Sequence, residues 1–317
     1  MIKGTYLAGA VAAAAGVLAL AGCGAAQAGH RPLAAELLSS ANNTALSTSF
    51  KAQFQGTAKL TMSGLSGLPA TTMQQLQTAQ GQLNSSTLTG TLDFENPTNF
   101  EVSYSFPPFL TSQLDVLEVN GVGYASLNGT TWYQLAASTA TSGGLSAQAA
   151  NLPNELKALG TEAKGAATVS SLPNTTVNGV AVTHVRATVS GSGLDKVFTG
   201  ALDQFAKTGS GSSAGGAMAA LAQLVNFNPA QADSYISVGT KLPVRESASG
   251  SMSFNLAALS LLGAGQLPKV QGVLSLSFTA TINFSDYGHH FAISKPADIA
   301  PGALPQPSSA ASVTGLF

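Results

Sequence analysis

The chain has 317 residues, a formal net charge of −1, 9 % charged residues and 44 % apolar ones. So little charge, with no basic patch, argues against a nucleic-acid partner, whose phosphates need clustered Lys and Arg. The apolar share suffices for a substantial core, and the abundance of short polar and β-branched side chains suits an extracellular antiparallel β protein.

At the start of the chain, Lys3 precedes an apolar run from Leu7 to Leu20. That run is shorter than the roughly 20 residues a spanning helix needs, and it has the length of a signal-peptide core. Leu20-Ala21-Gly22-Cys23 follows, and Cys23 is the single cysteine of the chain, so it has no intrachain disulfide partner. Small residues directly before a cysteine resemble the lipobox of bacterial lipoproteins. The resemblance implies that residues 1–22 are removed and that Cys23 carries a diacylglyceryl thioether and further acylation, such as palmitate. This would anchor the chain at the extracytoplasmic face of the cell membrane. Ala26-Gln27-Ala28 is a second processing signal, which would release the protein without its cysteine.

Residues 23–31 read as a tether. Pro32 opens a helical pattern with Leu33, Glu36, Leu37, Ala41 and Ala45 on one face. Phe50 to Met62 reads as a strand, broken by Gly and Pro over 63–71; residues 72–83 read as a Gln-rich helical turn or a hairpin insertion. Leu88 to Phe94 is a second strand. Phe100 to Phe106 alternates strictly, with Phe100, Val102, Tyr104 and Phe106 on one side. Two Asn-Gly pairs, 120–121 and 128–129, divide Leu114–Val119, Val122–Leu127 and Thr130–Leu135 into a meander, because Asn-Gly favours a type I′ turn. Trp132 and Tyr133 point to opposite faces, so one of them is expected to meet solvent.

Residues 136–150 have linker composition, and 151–163 and 194–206 have amphipathic helical patterns. Between these helices, Asn178-Gly179 joins Val177 to a strand over Val180–Val189. Residues 207–216 form a Gly/Ser loop, and 217–225 a short helix apolar nearly all round, with Met218, Leu221 and Leu224 placed to act as a lid. Strands follow at Ser234–Val238, Leu242–Ser247 and Ser251–Leu256, then a short helix over 257–265. Val273 to Phe284 is the clearest strand: Leu274, Leu276, Phe278, Ala280, Ile282 and Phe284 share one face, and Ser, Thr and Asn the other. Phe291–Ile293 is expected to close the sheet, and residues 301–317 to form a disordered tail.

Long strands with one apolar face, interspersed with helices, define an α+β fold. The expected architecture is a strongly curved antiparallel half-barrel sheet with helices packed on its apolar concave face, one domain over 32–300. The order of V-N-G-V-G-Y (119–124), W-Y-Q-L (132–135), V-N-G-V-A-V-T-H-V-R (177–186), L-P-V-R (242–245) and I-N-F-S-D-Y-G (282–288) resembles the actinobacterial LppX/LprG-type lipoproteins, whose fold is similar to the carrier LolA. The resemblance covers most of the mature chain. It implies a cavity for lipid or lipoglycan acyl chains, with an envelope transporter as a partner. Its lining would come from Phe100, Val102, Tyr104, Phe106, Met218, Leu221, Leu224, Leu276, Phe278 and Ile282. A filled core uses the same residue types, so a ligand-free envelope interaction or sensor module on the same fold stays open.

Catalytic chemistry finds no pattern. Gly64-Leu65-Ser66-Gly67 lacks the spacing of a nucleophile elbow. His184 is expected on an exposed strand face, and the His289-His290 pair lies in a turn beside Asp286, a weak metal signal. Gly191-Ser192-Gly193 reads as a plain turn and helix cap rather than an anion site. Asp93, Glu95 and Glu101 lack the defined cross-cleft separation of a glycosidase pair. The reading is a binding protein with no enzyme activity, cofactor or metal.

Overall fold

The computed structural model describes residues 37, 40–41, 48–96, 98–107, 110–135, 167–195, 225–258 and 270–302, with the backbone alone at 110–112. Cys23, the tether, the helix expected over 151–163, that over 257–265 beyond its first two residues, the body of that over 194–206, the loop 207–216, the lid residues Met218, Leu221 and Leu224, and the tail from 303 lie outside the described residues; a short 3-10 helix, Leu256–Ala258, stands where the helix over 257–265 is expected to begin.

The described residues form one open, curved sheet of 13 strands with few helices. In chain order these are β1 (Phe50–Ser66), β2 (Thr87–Asn96), β3 (Asn99–Phe106), β4 (Leu110–Val119), β5 (Val122–Leu127), β6 (Trp132–Gln134) and β7 (Ala167–Val177). Then come β8 (Val180–Val189), β9 (Val225–Phe227), β10 (Ala230–Ser237), β11 (Pro243–Asn255), β12 (Gln271–Ser285) and β13 (Ile299–Ala300). The spatial order is β13-β6-β5-β4-β3-β2-β1-β12-β11-β10-β8-β7, with β9 beside β11. All pairings are antiparallel except β13 with β6. β1 and β12, the two longest strands, bring the N-terminal meander against the C-terminal half.

Local chemistry explains most boundaries. Asn120-Gly121 and Asn178-Gly179 have positive φ at both residues, 52° and 79° in the first and 51° and 80° in the second, as a type I′ turn requires. β1 does not stop at Met62. It runs on to Ser66 through an irregularity between Ser63 and Ser66, where Gly64 has φ +62°. β11 is one strand rather than two, because the small residues around Gly250 stay in register with β12. The meander's third strand is short, Trp132–Gln134, and Trp132 and Tyr133 are both half-buried. Phe291–Ile293 is not a strand. The sheet closes instead with β13, while the Phe291 N–H donates to Glu95 Oε2 at 2.9 Å.

β7 extends the hairpin expected at Asn178-Gly179 back to Ala167, while β9 and β13 were not legible in the sequence. β7 contains Pro173 at a register shift, which an edge strand tolerates. β9 begins at Val225, the residue read as the end of the lid helix, and pairs it with Phe254. The helical turn after β8 starts at Gly191, ahead of the expected Leu194. Ser190 caps it by accepting the Gly193 N–H at its Oγ, 3.2 Å away.

The helix α1 (Ala70–Ser85) settles the question left open at 72–83. It has no buried residue, and its side chains bond the backbone of β1. β2 pairs with β1 only as far as Thr57, which leaves the far half of that edge open. There Asn84 Oδ1 accepts the Leu60 N–H at 2.6 Å, while Asn84 Nδ2 and Gln80 Nε2 each donate to the Leu60 carbonyl at 3.0 Å. Amide side chains thus stand in for a neighbouring strand and blunt an exposed edge.

Candidate functional site

Alternation and antiparallel register carry one residue from each strand into transverse rows on a single, mostly apolar face. One row runs Leu127–Leu114–Tyr104–Gly90–Phe54–Ile282–Glu246–Ser234–Val185. It places Tyr104 and Ile282, far apart in sequence, on one floor. Val102 lies in the adjacent row, and Phe100 in the next, beside Phe94. Phe106 falls beyond a register shift at the end of β3, so the floor does not continue through it.

The two flanks of this face are covered. On the β8–β10 side, Ala41, Val185, Ala187, Ala232 and Ile236 form a buried cluster joined by Leu37 and Val169, which brings the N-terminal helical residues onto the apolar face. At the other flank Tyr104, Leu114 and Ala125 are buried among Phe54, Leu88, Val102, Val116, Leu127 and Leu135. One end is closed by rings: Phe50 stacks on Phe94 at 5.0 Å and meets Phe284 edge-on at 5.7 Å and Tyr287 at 6.0 Å.

Toward the opposite end the strands outrun their neighbours, and the floor is half-buried. Leu60, Leu276, Met252 and Phe227 make one tier, and Met62, Leu274, Phe254 and Val225 the next. All are half-buried except Val225, which is buried. Behind them the floor is low. Gly56, Ala280 and Ala248 form a row, and the rings of Phe278 and Phe54 reach over Gly250 and Gly90. A Cβ on Gly250 would stand 2.7 Å from Phe278 Cζ, and one on Gly90 would stand 2.3 Å from Phe54 Cζ. Glycine here is what lets each ring reach over the strand beside it.

Two carboxyls sit on this face, Glu118 opposite Phe100 and Glu246 opposite Ile282, and both are buried. Glu246 is 4 % exposed, accepts a 3.3 Å bond from Ser234 Oγ, and is pushed up to about 7 by burial, against the pull of that bond. Tyr287 is also raised, by burial and then by the nearby Glu246, and its hydroxyl donates to the Pro243 carbonyl at 2.8 Å. Neither Glu246 nor the floor tiers on β9 and β11 could be found from sequence. Their membership depends on register alone.

The opposite face is polar. Its central rows join Gln53, Gln55, Thr89, Thr91, Thr281 and Asn283 around a shallow depression of about 360 Å³. A second depression, about 410 Å³, lies at Thr130, Thr131 and residues 297–300. Glu101, on the polar face, is raised by burial and then by Asp93 and Asp115. Asp115 accepts bonds from Ser103 Oγ at 2.5 Å and Gln113 Nε2 at 2.6 Å.

His184 departs from its expected exposure. Its side chain is 14 % exposed, stacks on Tyr235 at 4.3 Å, and pairs with Asp233 at 2.7 Å. Arg186 donates to both oxygens of the same carboxylate, at 2.8 and 3.1 Å. Burial alone would raise Asp233, but these bonds outweigh it and hold the carboxyl below its ordinary range. His290 Nδ1 lies 2.9 Å from Glu95 Oε1. Among the described residues no group of three or more His, Cys, Asp or Glu is arranged to hold a metal ion, and no helix is long and apolar enough to cross a membrane.

No protein-family model and no curated protein matches the chain. Among solved structures it is similar to LprF from Mycobacterium bovis, at 13 % identity and a TM-score of 0.39, covering 84 % of this chain and 98 % of that one. It is similar to the lipoprotein LppX of Mycobacterium tuberculosis at 10 % identity and a TM-score of 0.30, covering 84 % and 100 %. A LolA-superfamily protein of Nitrosomonas europaea follows at 10 % identity and a TM-score of 0.23, covering 83 % and 97 %.

Proposed function

We propose that this protein is a lipid-anchored cell-envelope protein that binds and carries lipids or lipoglycans by their acyl chains, on the apolar face of its sheet. The observation that carries the reading is the register of that face: successive tiers of Leu, Met and Phe from β1, β12, β11 and β9 stay half-buried at one end. Burial of such side chains contributes about 25 cal/mol per Å². A chain that leaves them partly open forgoes stability that an acyl chain recovers on binding. Leu276, Phe278 and Ile282 on β12 belong to this floor, together with Val102 and Tyr104 on β3. Met218, Leu221 and Leu224 remain the proposed lid, and Cys23 the proposed anchor to the extracytoplasmic face of the membrane. An envelope transporter remains the proposed partner for delivering or collecting the lipid.

Native mass spectrometry of the protein from a lipid-containing host tests this. The expected result is a co-purifying acyl species that is lost on delipidation and regained from dioleoylglycerol. A protein of bare polypeptide mass that takes up no lipid leaves the ligand-free module as the better account. The packed clusters on both flanks of the face are what favour that second reading.

A further inference from the structure

Tyr104 stands on the apolar face, in the same row as Phe54 and Ile282. It is 7 % exposed, and its hydroxyl has no hydrogen-bond partner among the described residues. It belongs to a hydrophobic cluster with Leu114 and Ala125, against which Phe54, Leu88 and Val102 pack. A side chain on a strand stands roughly perpendicular to the sheet. A tyrosine is longer than the leucine and valine beside it, so its hydroxyl reaches beyond their ends. Beside it in the row is Gly90, which adds no side chain of its own and is overlain by the Phe54 ring.

Such a hydroxyl works against folding. A buried donor without a partner loses its hydration and receives nothing in exchange, whereas phenylalanine would fill the same space at no such cost. Water is a poor substitute, because a buried water needs two to four polar partners and these neighbours offer none besides Tyr104 itself. Burial alone also lifts the phenol above its ordinary range, so it stays a neutral O–H donor throughout the physiological range.

We infer that the Tyr104 hydroxyl is the polar anchor of the acyl-chain site, donating a hydrogen bond to a carbonyl oxygen of the bound lipid. The site would then select lipids that carry a carbonyl within their apolar length over plain hydrocarbon. This rests on the carrier reading above, and sharpens it from apolar binding to recognition of one chemical group at one place on the floor.

The test uses the delipidated mature chain, loaded with dioleoylglycerol carrying carbon-13 at both ester carbonyls. In the wild-type protein the infrared spectrum should contain a carbonyl band shifted to lower frequency, the signature of an accepted hydrogen bond. In Tyr104→Phe that band should vanish, and affinity should fall about five- to tenfold, the loss of one hydrogen bond. The empty Tyr104→Phe protein should melt at a higher temperature than empty wild type, because an unpartnered polar group has been removed. Two results overturn the inference while leaving the carrier reading intact: identical carbonyl spectra in both loaded proteins, or an empty variant that melts lower than wild type. Failure of the wild-type protein to take up the lipid at all would overturn the carrier reading and the anchor together.

Discussion

Glu246 is the residue at which the chemistry of the floor is least tolerant. Its carboxyl titrates near 4.5 in an unfolded chain and near 7 in the folded one, because burial disfavours the charge. The folded state therefore holds the proton more tightly, and stability is lost as pH rises from 4.5 through 7. At 1.36 kcal/mol per pH unit the full penalty above pH 7 is on the order of 3 kcal/mol. Glu246→Gln should remove it while still accepting from Ser234. Urea unfolding should show the variant more stable than wild type at pH 8, with the gap closing toward pH 4.5; a gap independent of pH would refute the assignment. Asp233 behaves in the opposite sense. Its lowered carboxyl contributes stability above the unfolded value, and that contribution is lost on acidification. Asp233→Asn should cost roughly 2 kcal/mol at neutral pH and progressively less on acidification below the unfolded value, since removing the carboxylate of a part-buried cluster strands its partners.

At the scale of elements, the glycines in β2 and β11 do what a breaker residue is not expected to do. Gly250 falls between the two strands expected at Leu242–Ser247 and Ser251–Leu256, yet it lies mid-strand opposite Phe278. Gly250→Ala would press a methyl into that ring at 2.7 Å and should destabilise by about 1–3 kcal/mol. Much of the loss should be recovered with Phe278→Leu in the same chain, and an additive double-mutant cycle would rule out the contact as the cause. α1 shows a second kind of work for an element. Its amides complete the open edge of β1 at Leu60. Asn84→Ala should cost about 1 kcal/mol and speed amide exchange at Leu60, with exchange along the β12-paired half of the strand unchanged. Unaltered exchange at Leu60 would show the amide contacts to be incidental.

The whole molecule joins a lipobox-like Cys23 to a broad sheet whose apolar face is closed at its aromatic end and half-open at the other. Two acyl chains anchor stably where one is marginal, at about 0.8 kcal/mol per buried methylene. Cys23→Ala should leave an unprocessed precursor at that position in the cell, read from the mass of its N-terminus and its membrane fractionation. A variant cut before residue 23 and still membrane-bound would exclude lipid anchoring through this cysteine.

Local chemistry alone was enough to establish much of this protein. Asn-Gly turns demand positive φ wherever they stand, and the period-two alternation of β3 and β12 specifies which side chains share a face. Hence Tyr104, Leu276, Phe278 and Ile282 were legible as one apolar stripe each before any strand was paired. Which stripes meet was decided only in three dimensions. The long-range pairing of β1 with β12 sets Phe54 beside Ile282, and that of β11 with β12 carries Glu246 into the floor. The same holds for α1, whose pattern showed a helix or an insertion without a destination, and for His184, whose partners Asp233 and Tyr235 come from another strand. Register across 13 strands joins residues with large sequence separations, and no local propensity encodes that.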